Sequence, residues 1–175
     1  RLFYKDTPIA GLDISSTGIK IMSIDPKRWL VNGYGSLDLD PQKVKEALET
    51  EGSTYLTDNI KQMLAEKMIG EVTSKQIAIS VPTARSFSRT FTLPIATEKA
   101  LHDAVVLEAD QYIPIPSTSL YIDHQVIERT KQEITVLMSA VPRVVIDNIV
   151  TTVEAAGFQP ILIEPSISSV GRVLT

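Results

Sequence analysis

The sequence predicts a mixed α/β protein built in two parts. Three observations point there. Short, Ile-rich runs separated by tight polar turns open the chain and read as an antiparallel β-meander. Two stretches with apolar residues at helical spacing follow, and then a strand. After a seam near Val81–Ser86 the rhythm restarts as β-α-β-β-α-β, which taken alone is the split-βαβ order.

Ile9–Ile14 and Gly18–Ile24 are the first two strands, joined by a Ser-Ser-Thr-Gly turn. Trp29–Leu37 follows the turn "DPKR" as the third. Asp40 reads as an N-cap with Pro41 at the first helical position, and Gly52 ends that helix. Thr54–Ile69 reads as a stronger helix, with Leu56, Ile60, Met63, Leu64 and Met68 on one stripe and Gly70 as its stop. "KQIAISVP" is an apolar strand ending at Pro82. Beyond the seam, Arg85–Leu93 alternates like a strand and Thr97–Tyr112 is helical. "IPIP" breaks that helix, because proline cannot continue it. Leu120–Glu128 and Glu133–Ala140 are strands flanking the hairpin turn "RTKQ". Pro142 opens a helix with Val145, Ile149 and Val153 inward, and Gly157 closes it. "PILIEP" is a last strand, "SISSVGRVL" suits the start of a helix, and this tail is expected to rejoin the first part.

Composition narrows the function. The chain has 175 residues, 43% hydrophobic and 22% charged, enough for a packed core without staples. It has no cysteine, which excludes disulfides, thiolate zinc sites and a cysteine nucleophile. Net charge is −4 and the 17 Lys and Arg are scattered, so nucleic acid is a poor partner. No apolar run approaches the ~18 residues of a membrane span. "RLFYKDTPIAG" lacks the apolar core of a signal peptide. Membrane association is therefore expected through a partner, without direct insertion. His102 and His124 have no metal-ligand spacing around them, and Glu98, Glu108 and Asp110 read as a solvated helix face. Walker and Rossmann glycine patterns are absent.

That leaves "GLDISSTGIK", Gly11–Lys20. Its ordinary reading is a hairpin turn, since Ser, Thr and Gly are common turn residues. The alternative is an anion grip. Amides converging in a tight turn attract phosphate, and Ser15, Ser16 and Thr17 add hydroxyl donors. Asp13 suits Mg²⁺ held through water, and Lys20 a point charge on phosphate. A turn alone gives less reason for a charged Asp and Lys at the strand ends.

With the meander behind it, this motif is similar to the first phosphate motif of the actin, heat-shock chaperone and sugar-kinase superfamily. More narrowly, the chain resembles the PilM family, actin-like cytoplasmic proteins of type IV pilus assembly related to FtsA. "IAISVP" with "SRTFTLP", "LEADQYIPIPSTSLYIDHQVIE" and "ITVLMSAVPRVVIDNIVTTVEAAGFQPILIEP" carry the likeness along nearly the whole chain. The resemblance implies a subdomain 1A over residues 1–81, an inserted subdomain 1C over 82–157, and a return to 1A over 158–175. Subdomains 2A and 2B of the family are not in this sequence. It implies ATP and Mg²⁺ in the family's cleft, with Asp13, Ser15, Ser16, Thr17, Gly18 and Lys20 as the phosphate side, and turnover weak or absent. It implies the N-terminal tail of PilN, an inner-membrane protein, as partner, with other pilus platform proteins, and a place on the inner face of the membrane. Phe87, Leu93, Pro94, Tyr112, Ile113 and Pro114 are candidates to line the peptide groove between 1A and 1C, and packing competes for each. Ser15 stands where the family usually has glycine. An FtsA-like division role and an actin-like ATPase or kinase are the competing readings. No catalytic base for a substrate hydroxyl is evident.

Overall fold

The computed structural model describes residues 9–165. The chain divides into two compact units. One holds the residues up to Ala84 together with those from Ile146 on, and the other is Arg85–Val145.

The meander of the first unit is β1 (Ile9–Ser15), β2 (Gly18–Asp25) and β3 (Leu30–Asp38). Trp29, between β2 and β3, has φ 53 and is the one non-glycine residue with positive φ among the described residues. That left-handed conformation costs roughly 1–2 kcal/mol for a side chain with a Cβ. Asp40 starts α1 (Pro41–Glu49): its carboxylate accepts from the Gln42 and Lys43 amides, two donors that a helix start leaves unpaired.

Helix α2 (Tyr55–Glu66) departs from the sequence expectation. It stops at Glu66, and Met68–Gly70 instead forms β4, antiparallel to β3. Met68 fits the helical stripe, but β3 offers it a better place. Gly35 has no side chain, and a Cβ there would lie 2.7 Å from Met68 Sδ. Gly70 has φ 77 and its Cα faces the Asn32 carbonyl at close range, so it ends a strand and not a helix.

Two more strands, β5 (Gln76–Val81) and β9 (Gln159–Pro165), complete a six-stranded sheet in the order β4-β3-β2-β1-β5-β9. The β1–β5 and β5–β9 pairings are parallel and the others antiparallel. Alternation fixes the buried face: Leu12, Ile14, Ile19, Ile21, Ile77 and Ile79 are at most 2% exposed. The helices supply their own buried stripe, with Leu48, Leu56, Ile60, Met63, Ile149 and Val153. Each such side chain contributes about 1.5–3 kcal/mol when fully buried.

Helix α4 (Arg143–Ala155) starts one residue after Pro142, which closes the strand Glu133–Pro142. Thr57 Oγ1 donates to the Thr152 carbonyl (3.4 Å), and Asn148 Nδ2 donates to the Leu48 carbonyl (3.1 Å). These bonds tie α4 to α2 and α1, so the return to the first unit comes at Ile146 and not after Gly157.

The second unit contains β6 (Phe87–Pro94), α3 (Leu101–Tyr112), β7 (Leu120–Arg129) and β8 (Glu133–Pro142). Its sheet is antiparallel with order β6-β8-β7. Val105 and Ala109 of α3 belong to one core with Ile134, Val136, Met138 and Ala140 of β8. The opposite face carries Ser88, Thr90 and Thr92 and is solvated, as one face of an antiparallel sheet can be. Because β9 belongs to the other sheet, this is not the split-βαβ arrangement that the element order suggested. Helix α3 begins at Leu101, four residues later than expected from Thr97. The Thr97 hydroxyl donates to the Pro94 carbonyl at 2.7 Å, and Ile95–Ala100 winds as a tighter 3-10 turn. The helix expected over "SISSVGRVL" lies outside the described residues.

Two glycines separate backbone conformation from crowding. Gly52 and Gly70 both have positive φ, but only a Cβ at Gly70 would meet anything, the Asn32 carbonyl. In urea unfolding, Gly52→Ala is expected to cost about 1 kcal/mol and Gly70→Ala about 2–4 kcal/mol. Equal losses would mean that β4 yields freely.

Candidate functional site

The register of the six-stranded sheet carries side chains across it in rows. On the face opposite the buried one, Leu162, Ala78, Gly11, Met22, Tyr34 and Ile69 form one row, a residue from each strand. The next row is Glu164, Ser80, Asp13, Lys20 and Ser36. Apart from Ile69, both rows line an open trough of about 550 Å³. Gly11 and Ala78 line it with little bulk, together with Leu162, Met22 and Tyr34. Those three remain 41%, 49% and 46% exposed.

Asp13 and Lys20 face each other directly across β1 and β2. Cross-strand neighbours in such a pair have Cβ atoms about 4.5–5.5 Å apart. Ser80 flanks Asp13 on the other side, with Glu164 beyond it. The row can offer carboxylate oxygens to a hard cation and an ammonium to an anion. Among the described residues no three His, Asp or Glu converge as a metal cluster. Asp13 therefore suits a cation that keeps its water, as Mg²⁺ usually does.

The turn above this row is shorter than the sequence suggests. Ser15 and Gly18 already pair in the ladder, leaving only Ser16 and Thr17 as loop. Ser15 Oγ donates to the Gly18 carbonyl at 2.9 Å, and the Thr17 amide points at Ser15 Oγ at 3.4 Å. The Thr17 carbonyl accepts from the Leu39 amide (2.8 Å). Gly18 is buried, and a Cβ there would lie 2.7 Å from the Leu37 carbonyl. Ser15 and Gly18 thus hold the hairpin and its approach to β3. Asp13 and Lys20 stand on the open face, and Ser16 and Thr17 are exposed at the tip. These residues form an open face and not an enclosing loop.

The six groove candidates all fall in or beside the second unit's core elements. Leu93 and Ile113 are core residues, 9% and 6% exposed, and Phe87 packs partly buried against the same core. For these three, packing accounts for the side chain. Pro94 and Pro114 are exposed. Tyr112 is 48% exposed and carries the Arg89 guanidinium over its ring, 3.3 Å from the centroid. Sequence reading also missed a neighbour pair: His102 and His124 have ring centroids 6.0 Å apart. Helix α3 and strand β7 bring them together, which spacing along the chain does not reveal.

Solved structures share this architecture. The chain matches the PilM–PilN type IV pilus biogenesis complex with a TM-score of 0.78 and 17% identity, covering 92% of this chain and 48% of that one. It matches the cytoplasmic domain of EpsL, an inner-membrane component of the Vibrio cholerae type II secretion system, with a TM-score of 0.59 and 10% identity, covering 91% and 57%. A Bacteroides thetaiotaomicron protein of actin-like ATPase fold matches at 0.50 with 8% identity, covering 95% and 55%. The chain spans about half the length of each matched structure. The class is therefore the actin-like fold, of which these residues form an N-terminal half. The family model for type IV pilus assembly protein PilM matches residues 11–169, and the chain belongs to that family.

Gly18 offers a test of the hairpin's own requirements. Gly18→Ala is expected to lose about 1–3 kcal/mol of stability in chemical denaturation without any nucleotide present, through overpacking against Leu37. A variant as stable as the parent would release Gly18 from this structural role.

Proposed function

We propose that this chain serves type IV pilus biogenesis as a cytoplasmic adaptor that holds the N-terminal tail of PilN. The observation that carries the reading is the family match over residues 11–169, with the 0.78 structural match to a PilM–PilN complex in support. Held by such a tail, the protein would lie against the inner face of the membrane as part of the assembly platform. No helix among the described residues is long and apolar enough to cross a membrane.

Tyr112 is the best placed of the groove candidates to touch a peptide, since it is exposed and already stacked with Arg89. A synthetic peptide of the PilN cytoplasmic N-terminus is expected to bind the chain in the micromolar range or tighter by calorimetry. Tyr112→Ala should weaken that binding roughly tenfold. A folded chain that shows no heat of binding would sink the adaptor reading.

A nucleotide role is the second reading, favoured by the adjacency of Asp13 and Lys20 on the open sheet face. Asp13 would hold Mg²⁺ through water, and Lys20 and Ser16 would meet phosphate oxygens. A bound nucleotide would supply a charged lock between the two halves of a complete family member. MgATP should raise the melting temperature, and Asp13→Ala should abolish the rise. A rise unchanged in the variant would place the nucleotide elsewhere.

A further inference from the structure

The β2–β3 hairpin ends in a tip that the fold itself does not need. Trp29, Leu30 and Val31 are consecutive and are 85%, 56% and 54% exposed. Trp29 also holds the strained left-handed backbone, where Gly or Asn would sit without cost. An exposed, strained tryptophan contributes nothing to the core, and such outliers point to function. Lys27 and Arg28 stand beside it, both exposed, with the Arg28 side chain at 77%. The nearby carboxylate in the turn, Asp25, accepts the Lys27 and Arg28 amides and lies 4.0 Å from Arg28 Nε, a weak ion pair that leaves the Arg28 side chain largely exposed. Glu71 donates its amide to the Asn32 carbonyl, which places another acidic residue near the start of β3.

We propose that this tip, Lys27–Val31, docks on an anionic lipid surface, its indole and aliphatic side chains entering the headgroup region while the two cations meet lipid phosphates. Indole belongs at that boundary, having an apolar body and one polar N–H. Basic residues are drawn to anionic headgroups. A lipid surface suits the tip better than a protein partner does. A stable protein interface buries about 800 Å² per side over some twenty residues, far beyond one convex hairpin tip. Within a chain of net charge −4, a Lys-Arg pair beside three apolar residues is a local exception. The contact would add to the hold of a membrane-protein tail and does not rest on it.

Trp29 is the only tryptophan in the chain, so it reports on itself. The full chain is mixed with vesicles of phosphatidylethanolamine and phosphatidylglycerol in equal parts, and separately with phosphatidylcholine vesicles. Emission should shift to the blue, and protein should co-sediment, on the anionic vesicles alone, with both effects fading as salt rises. The double variant Lys27→Gln, Arg28→Gln should bind roughly tenfold more weakly or worse. Trp29→Gly should keep or raise the melting temperature, since it relieves strain, yet lose sedimentation. Emission unmoved by anionic vesicles at low salt would overturn the proposal. So would an equal shift on neutral vesicles, or a shift without vesicles that grows with protein concentration, which would mark contact between copies.

Discussion

The parallel pairing of β1 with β5 is the constraint on which the first unit depends. A meander can extend itself by short turns, but a parallel neighbour requires the chain to cross back over the sheet. Helices α1 and α2 make that crossing between β3 and β5 on the buried face. The next parallel step, from β5 to β9, is a far longer one, and the chain uses it to build the whole second unit before α4 brings it home. Thr57 and Asn148 mark the landing, where hydrogen bonds from and to α4 close on the helices already there.

The same pairing composes the candidate site. Asp13 and Lys20 come from adjacent strands of one hairpin, but Ser80 and Glu164 arrive only because β5 and β9 lie parallel beside β1. Polar and apolar rows then fall side by side on one sheet face. The helices leave this face open among the described residues, and Gly11 and Ala78 are among the residues lining its trough. A surface of that kind, charged along one row and apolar along the next, orients whatever lies on it.

The hairpin from Ser15 to Gly18 shows how one motif serves two demands. Its first demand is local: close the strands in two residues and let β3 pass within contact of Gly18. The Ser15 hydroxyl supports that closure from within. The second demand, the proposed anion site, would fall to the residues that point outward.

Much of this was legible in the sequence. Period-two runs of Ile, the Asp40-Pro41 start, the proline breaks and the apolar stripe of α4 depend on neighbours a few residues away, so a local pattern specifies them. So did Asp13 and Lys20, which a short hairpin must place together. The structure alone decided the fate of Met68–Gly70. Helical spacing and strand pairing competed there, and the space left by Gly35 on a distant strand settled it. It alone placed α4 with the first unit, gathered Ser80 and Glu164 beside Asp13, and put Leu93 and Ile113 inside a core. Each of these depends on residues brought together from far apart in the chain, and a linear pattern carries no record of which distant segment will fill a given space.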